Sequence, residues 1–389
     1  MSAADPASSP HRRLAIGLCG CATFVNLYTP QSILPALTTE FAVPAAQTGL
    51  SVTAPLLAVA LIAPFAGAIS DRLGRRRIIL AACLILVLPT LLAATAQSLE
   101  TLLFWRFLQG VTLPFIFTVA VAYVADECQG AEAVRAVTAY AMGSIIGGFG
   151  GRFIAGLVST AAGWRWAFVA VAGLTLLGTA LIALWLPPER RFVALRGGLG
   201  ATFRAYRAHL GNTALLGTCA VGFCMLFSNV AVFTFVNFHL SAPPHSLSAA
   251  ELGLVFTVYL LGLVTTSIAA PITVRLGRLP TLALTVTLAG AGLLLTLAPS
   301  TALAILGLAG LCGGLFVVQG LSLGHIGVAV TSAKSSAVGL YVTIFYIGGA
   351  LGGVVPGLAF HTAGWPGVVA LVLALLIAIP LIARATWRP

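Results

Sequence analysis

Long apolar runs, each bounded by glycine, proline or charge, recur along the whole chain at about 14–36, 46–69, 78–96, 101–124, 135–158, 165–186, 213–237, 250–273, 280–298, 301–325, 336–358 and 365–385. A spanning helix needs ~20 apolar residues to cross ~30 Å of hydrocarbon. The pattern therefore predicts an all-α membrane protein of twelve transmembrane helices, with little chain left over for anything soluble. The stretch from Leu14 is too long for a signal-peptide core and has no small-residue cleavage site behind it, so it is expected to stay as the first span.

The spans fall into two related sets of six. Shifting the chain by 201 positions lays Ala136–Trp164 over Ala337–Trp365, with identities at 12 of 29 positions, among them Tyr140/Tyr341, Gly147/Gly348, Gly148/Gly349, Gly151/Gly352, Gly156/Gly357 and Gly163-Trp164/Gly364-Trp365. A shift of 203 matches Arg72-Leu-Gly-Arg75 with Arg275-Leu-Gly-Arg278. Two pseudo-symmetric six-helix bundles, 1–188 and 212–389, joined by a basic linker at 189–211, are the arrangement of a rocking secondary transporter.

Composition agrees, with 59% hydrophobic and 7% charged residues, where a soluble domain is about a quarter charged. The net charge of +11 matters less than where it lies. With both termini cytoplasmic, 17 of the 20 basic residues fall in inside loops and ends; Arg165 alone is left for the outer loops, and Arg106 and Arg152 lie within spans. The seven cysteines sit in or beside apolar runs without paired metal-ligand spacing, so neither disulfides nor zinc are expected.

The strongest local motif is Gly67-Ala-Ile-Ser-Asp71-Arg72-Leu-Gly74-Arg75-Arg76-Arg77, between spans two and three. Its glycines permit a tight turn and close helix approach. Asp71 is placed to face the start of a neighbouring helix, such as span eleven after Lys334, and the arginines to pair with Asp126 or Glu127. Such a cluster would latch the two halves together on the inside and break when they rock. A plain positive-inside loop explains the arginines but neither the Asp nor the glycines.

This run resembles the signature loop of the major facilitator superfamily, and Arg106-x2-Gln109-Gly110 in span four is similar to that family's second motif. Gly143-x3-Gly147-Gly148-x-Gly150-Gly151 in span five resembles the antiporter motif of the drug-exporting, proton-antiport branch, with Gly148 where that branch usually carries proline. Gly150-Gly151-Arg152-Phe-Ile-Ala-Gly156 further resembles a group of bacterial inner-membrane exporters. The resemblance implies the major facilitator fold, alternating access, coupling through Arg106, and a cavity lined from spans one, four, seven and ten by Asn26, Tyr28, Gln31, Arg106, Gln109, Asn229, Phe233 and Gln319, with Tyr346 from span eleven.

A cation inside a span costs at least ~2.5–3.5 kcal/mol and should face the bundle interior or a water-filled cavity. For Arg106 the plainer reading is an interfacial arginine snorkelling outward; for Arg152, bonding to carbonyls stands beside substrate contact. All nine carboxylates lie at termini, loops or span ends. This points to a neutral or anionic substrate, with Asp126 or His325 as the proton carrier if protons couple. The run Phe233-Thr-Phe235-Val-Asn237-Phe238 offers an apolar wall for a drug-like solute.

No HExxH and no Gly-x4-Gly-Lys occurs, which removes a metalloprotease and an ATP-driven pump. The chain is expected to be no enzyme and to need no cofactor or metal. It should be a monomer with a small-molecule substrate, protons, membrane lipid and no nucleic acid as partners, exporting its solute across a bacterial inner membrane. An importer or facilitator of a sugar or organic anion stays open, as does a lipid-handling protein or sensor on the same fold.

Overall fold

The structure, a computed structural model, describes residues 10–189, 206–330 and 334–387. Most of the expected linker, 190–205 with Arg190, Arg191, Arg196 and Arg204, lies outside the described residues, as does the Lys334 side chain. Among the described residues every regular element is helical.

Among the described residues ten stretches are long and apolar enough to cross a membrane. The longest, Ser336–Thr386, has 51 residues, about 77 Å of helix at 1.5 Å per residue, more than twice the hydrocarbon thickness. It is interrupted by a turn at Gly353-Val354 and breaks at Gly364 (φ 61°, ψ −151°), the second break making 334–363 span eleven and 365–386 span twelve. Span one is a broken helix, Pro10–Tyr28, a 3-10 turn Thr29–Ile33 and Leu34–Phe41; the break falls at Pro30, which lacks an N–H to continue the ladder. Those two points bring the count to twelve.

The other spans are Ala45–Thr48 with Leu50–Leu73 (two), Arg75–Ala93 (three), Leu99–Thr112 with Pro114–Glu127 (four), Gly130–Ala162 (five) and Trp164–Trp185 (six). In the second half Thr213–Ser241 is span seven. Span eight runs through Ala249–Val255, Phe256–Leu260 and Leu261–Leu276, followed by Arg278–Leu295 (nine) and Thr301–Ala329 (ten).

The repeat is visible in the backbone. Gly74 (φ 94°) and Gly277 (φ 85°) make the turns after spans two and eight, and Gly163 (φ 92°) and Gly364 (φ 61°) those after spans five and eleven, all in the region where a Cβ is strained. The long helices pack the same way in each half. A Cβ on Gly147 would meet the Cys21 carbonyl oxygen at 2.4 Å, and one on Gly348 the Phe223 carbonyl oxygen at 2.4 Å; Gly151 against Val25 and Gly352 against Phe227 repeat the contact one turn further on. Small residues four apart thus seat span five on span one and span eleven on span seven.

The two halves close on each other at the end away from the arginine-rich turns. Span five meets span eight there, with Gly156 against the Ala249 carbonyl and the Ala250 N–H donating to Thr160 Oγ1 at 3.0 Å. Span eleven meets span two at the same level, with Gly353 against Gly49 and Thr53, and Thr53 Oγ1 donating to the Ala350 carbonyl at 2.8 Å. Near mid-depth Phe117 of span four touches Tyr346 of span eleven, with ring centroids 5.9 Å apart.

Candidate functional site: the seam between the halves and two buried arginines

Arg106 enters span four one turn above Gln109 and is fully buried. Its Nε donates to the Ser51 carbonyl at 2.9 Å, Nη1 to the Asn26 carbonyl at 2.8 Å and to Gln109 Oε1, and Nη2 to the Leu27 carbonyl at 2.6 Å. The Leu27 and Asn26 carbonyls lie at the end of the first helical segment of span one, where the break at Pro30 frees them from the ladder. Gln109 donates on to Thr90, Thr90 to Asn26 Oδ1, and Asn26 Nδ2 to Thr175 Oγ1. One network thus joins spans one, two, three, four and six of a single half. The snorkelling alternative for Arg106 fails, because the guanidinium points inward and reaches no surface. Gly110 lets span four lie against span two, where a Cβ would meet the Pro55 backbone at 2.3 Å.

Arg152 belongs to the other class of contact, across the halves. It too is fully buried. Nε donates to Gln31 Oε1 at 2.7 Å, Nη1 to the Gly148 carbonyl at 2.6 Å and Nη2 to the Tyr259 hydroxyl at 3.3 Å. The guanidinium lies 4.2 Å from the ring centres of Tyr28 and Tyr259 and 4.6 Å from that of Phe256. Tyr259 in turn donates to Asn229 Oδ1 at 2.8 Å and packs on Phe233 at 4.7 Å. Gln31 Nε2 donates to Thr234 Oγ1 at 3.2 Å. This hydrogen bond joins span one of the first half to span seven of the second.

The remaining expected site residues divide between these centres and elsewhere. Gly143, Gly147 and Gly151 form the face of span five that receives span one, while Gly148 supplies a carbonyl to Arg152. Asn26, Tyr28, Gln31, Asn229, Phe233 and Tyr346 are all buried in packing or hydrogen bonds, and Gln319 is partly covered. The aromatic run is packed as well: Phe235 and Phe238 both contact Phe360. His325 shares a hydrogen bond with Thr218 and stacks on Trp387.

At the basic end, Asp71 pairs with Arg75 at 2.5 Å and Arg75 with Asp126 at 3.0 Å. Arg75 also donates to Ser70 Oγ, and Arg76 to the Ala183 and Leu186 carbonyls at 2.7 Å. Arg72 ends span two's last turn, and Gly67 has open space around it. The cluster therefore ties spans two, three, four and six to one another. The expected reach of Asp71 to span eleven is not made among the described residues, because the halves are joined at the opposite end.

Residues 16–243 match the Major Facilitator Superfamily profile. The chain belongs to that superfamily. It is 31% identical over 366 residues to the inner membrane transport protein YnfM of Escherichia coli, covering 94% of this chain and 87% of that one. It is 29% identical over 177 residues to the chloramphenicol resistance protein CraA of Acinetobacter baumannii, covering 46% of this chain and 43% of that one. Among solved structures, a bacterial homologue of the human lysosomal transporter Spinster, inward-facing and unoccupied, superposes with a TM-score of 0.81 at 17% identity over 98% of both chains.

This member of the superfamily is thus a multi-pass membrane transporter and no enzyme. Its seam and the Arg106 network hold residues that the sequence motifs do not mark. Phe256 and Tyr259 lie in a 3-10 segment of span eight, and Thr90, Thr175 and Thr234 look in sequence like ordinary helix-tolerated threonines. A tyrosine inside an apolar run, whose hydroxyl must find a partner, was the one available signal.

Proposed function

We propose that this transporter exports a neutral or anionic organic compound across a bacterial inner membrane by alternating access, driven by the proton gradient, with its basic end in the cytoplasm. One observation carries the reading: among the described residues the halves meet at the far end, around Arg152 and at Gly49/Gly353, and at mid-depth through Phe117 and Tyr346, while the charged cluster at the basic end is satisfied inside one half. That is a carrier open toward the side on which an exporter collects its cargo. The positive-inside bias of the loops supports the orientation, and YnfM's description as an inner-membrane protein supports the membrane.

The charge preference rests on the absence of any carboxylate deep in a span, combined with two buried guanidinium groups that disfavour a permanent cation. Export is supported by the glycine face Gly143/Gly147/Gly151 and by the resistance relative CraA. Proton coupling is read from the resemblance of span five to the antiporter motif, with the carboxylates Asp71 and Asp126 beside Arg75 at the basic end.

The test is flux in inside-out proteoliposomes with chloramphenicol as a neutral probe, an aryl carboxylate as the anion and a quaternary ammonium dye as the cation. An inward-acid gradient should drive accumulation of the first two and leave the dye at background. Equal flux with and without the gradient would make the protein a facilitator, and selective dye transport would overturn the charge argument.

A further inference from the structure

The two halves differ in how they close the basic end of the helix pair two/four and its repeat, eight/ten. In the first half Arg75 sits between Asp71 and Asp126, and so braces span two against span four. Its repeat partner is Arg278 at the same turn, but Val274 stands where Asp71 does, and span ten ends Gly327-Val328-Ala329 where span four ends Ala125-Asp126-Glu127. Arg278 has no ion pair or hydrogen bond among the described residues. No Asp or Glu occurs anywhere from 252 to 389, against five basic residues, Arg275, Arg278, Lys334, Arg384 and Arg388.

Where the brace is missing, the helices stand apart. A groove of about 520 Å³ runs between spans eight and ten, with Arg278 at its basic end and Ala269, Ala270, Gly320, Leu321 and Gly324 along its walls. Gly320 and Gly324 have nothing within 4 Å of where a Cβ would be. Val274, beside Arg278, is 86% uncovered.

We propose that this groove is a binding site for an anionic phospholipid, whose phosphate pairs with Arg278 and whose acyl chain lies along the small-residue wall toward Gly320. An apolar channel ending in an unneutralised arginine at the headgroup level matches that amphiphile in both parts, and basic pockets between spans are where anionic headgroups bind. The lipid supplies the negative charge that Asp71 and Asp126 supply in the other half. A free phosphate fits the arginine but leaves the channel unfilled, and a zwitterionic lipid fills the channel but brings its own cation to Arg278.

The test is native mass spectrometry of the full-length protein incubated with equal amounts of phosphatidylglycerol and phosphatidylcholine of identical chains. Retained adducts should favour phosphatidylglycerol at least fivefold. Arg278→Gln should erase that preference, Arg275→Gln at the exposed neighbouring arginine should keep it, and Gly324→Leu should lower retention by filling the channel without changing charge. An undiminished preference in Arg278→Gln overturns the proposal. So does equal loss in Arg275→Gln, which would mean diffuse surface attraction, or displacement by tail-less glycerol phosphate as effectively as by lipid.

Discussion

The two seams that join the halves are copies of each other in the repeat, yet they are built on opposite principles. Span five on span eight corresponds to span eleven on span two, so that Gly156 against Ala249 is repeated by Gly357 against Ala46. One turn deeper the copies part: Arg152 with Phe256 and Tyr259 on one side, Gly353 with Gly49 and Thr53 on the other. The first seam is filled by large side chains around a desolvated cation. The second brings backbones together, with a Gly49 Cβ position only 2.4 Å from the Gly353 carbonyl oxygen. Close backbone packing is all-or-none, because one added methyl prevents it. A caged arginine can be loosened in steps, and is therefore the element through which closure can be tuned.

A control outside both seams should show the largest effect. Arg106→Ala strands the Ser51, Asn26 and Leu27 carbonyls, at ~1–3 kcal/mol for each buried unpaired group, and should lower the melting temperature of the purified protein more than any seam variant. A seam variant of equal cost would erase the distinction between braces within a half and contacts across halves.

Gly353→Leu should come next. Its Cβ would lie 2.3 Å from Thr53 Oγ1, and overpacking of this kind costs ~1–3 kcal/mol or more. Distances between labels at 43 and 246 should lengthen, and transport should fall at least about thirtyfold. Normal distances would show that the backbone seam yields more easily than its geometry implies.

Arg152→Ala removes the cage's centre. A desolvated cation–π contact is worth ~2 kcal/mol, so closure at the far end should weaken about 10- to 100-fold while thermal stability of each half changes little. Tyr259→Phe sharpens the comparison by keeping the ring and removing only the hydroxyl that bonds Arg152 and Asn229. The loss should be ~0.5–1.5 kcal/mol, up to about tenfold in the same equilibrium. If the two variants behave alike, the hydroxyl rather than the rings holds the seam.

Much of this molecule was legible in its sequence. The apolar runs placed twelve spans, and helix ends overran them mainly where polar residues continue the ladder beyond the apolar core, as in Gly130–Ala162. The repeat marked Gly74/Gly277 and Gly163/Gly364 before their dihedrals were known. What sequence did not reveal was which polar residues face one another. Asn26, Gln109 and Thr90 have the composition of a cavity lining, yet they bond among themselves, because a polar group in a span satisfies itself equally well against water, cargo or another helix. The caging of Arg152 depends on span eight of the other half, more than 100 residues away, and no local pattern encodes it.

Arg106 and Arg152 also fix what membrane voltage can act on. Carrying one elementary charge through the full field is worth ~2.3 kcal/mol per 100 mV. Arg106 is tied to main-chain carbonyls of its own half, and Arg152 to Gln31 and Gly148 of that same half. In the rocking motion proposed for this carrier both ride with one half, which tilts rather than climbs, so neither would cross much of the field. The unloaded carrier should reorient at a rate nearly independent of potential, and the current recorded during turnover then counts the charges of whatever it carries.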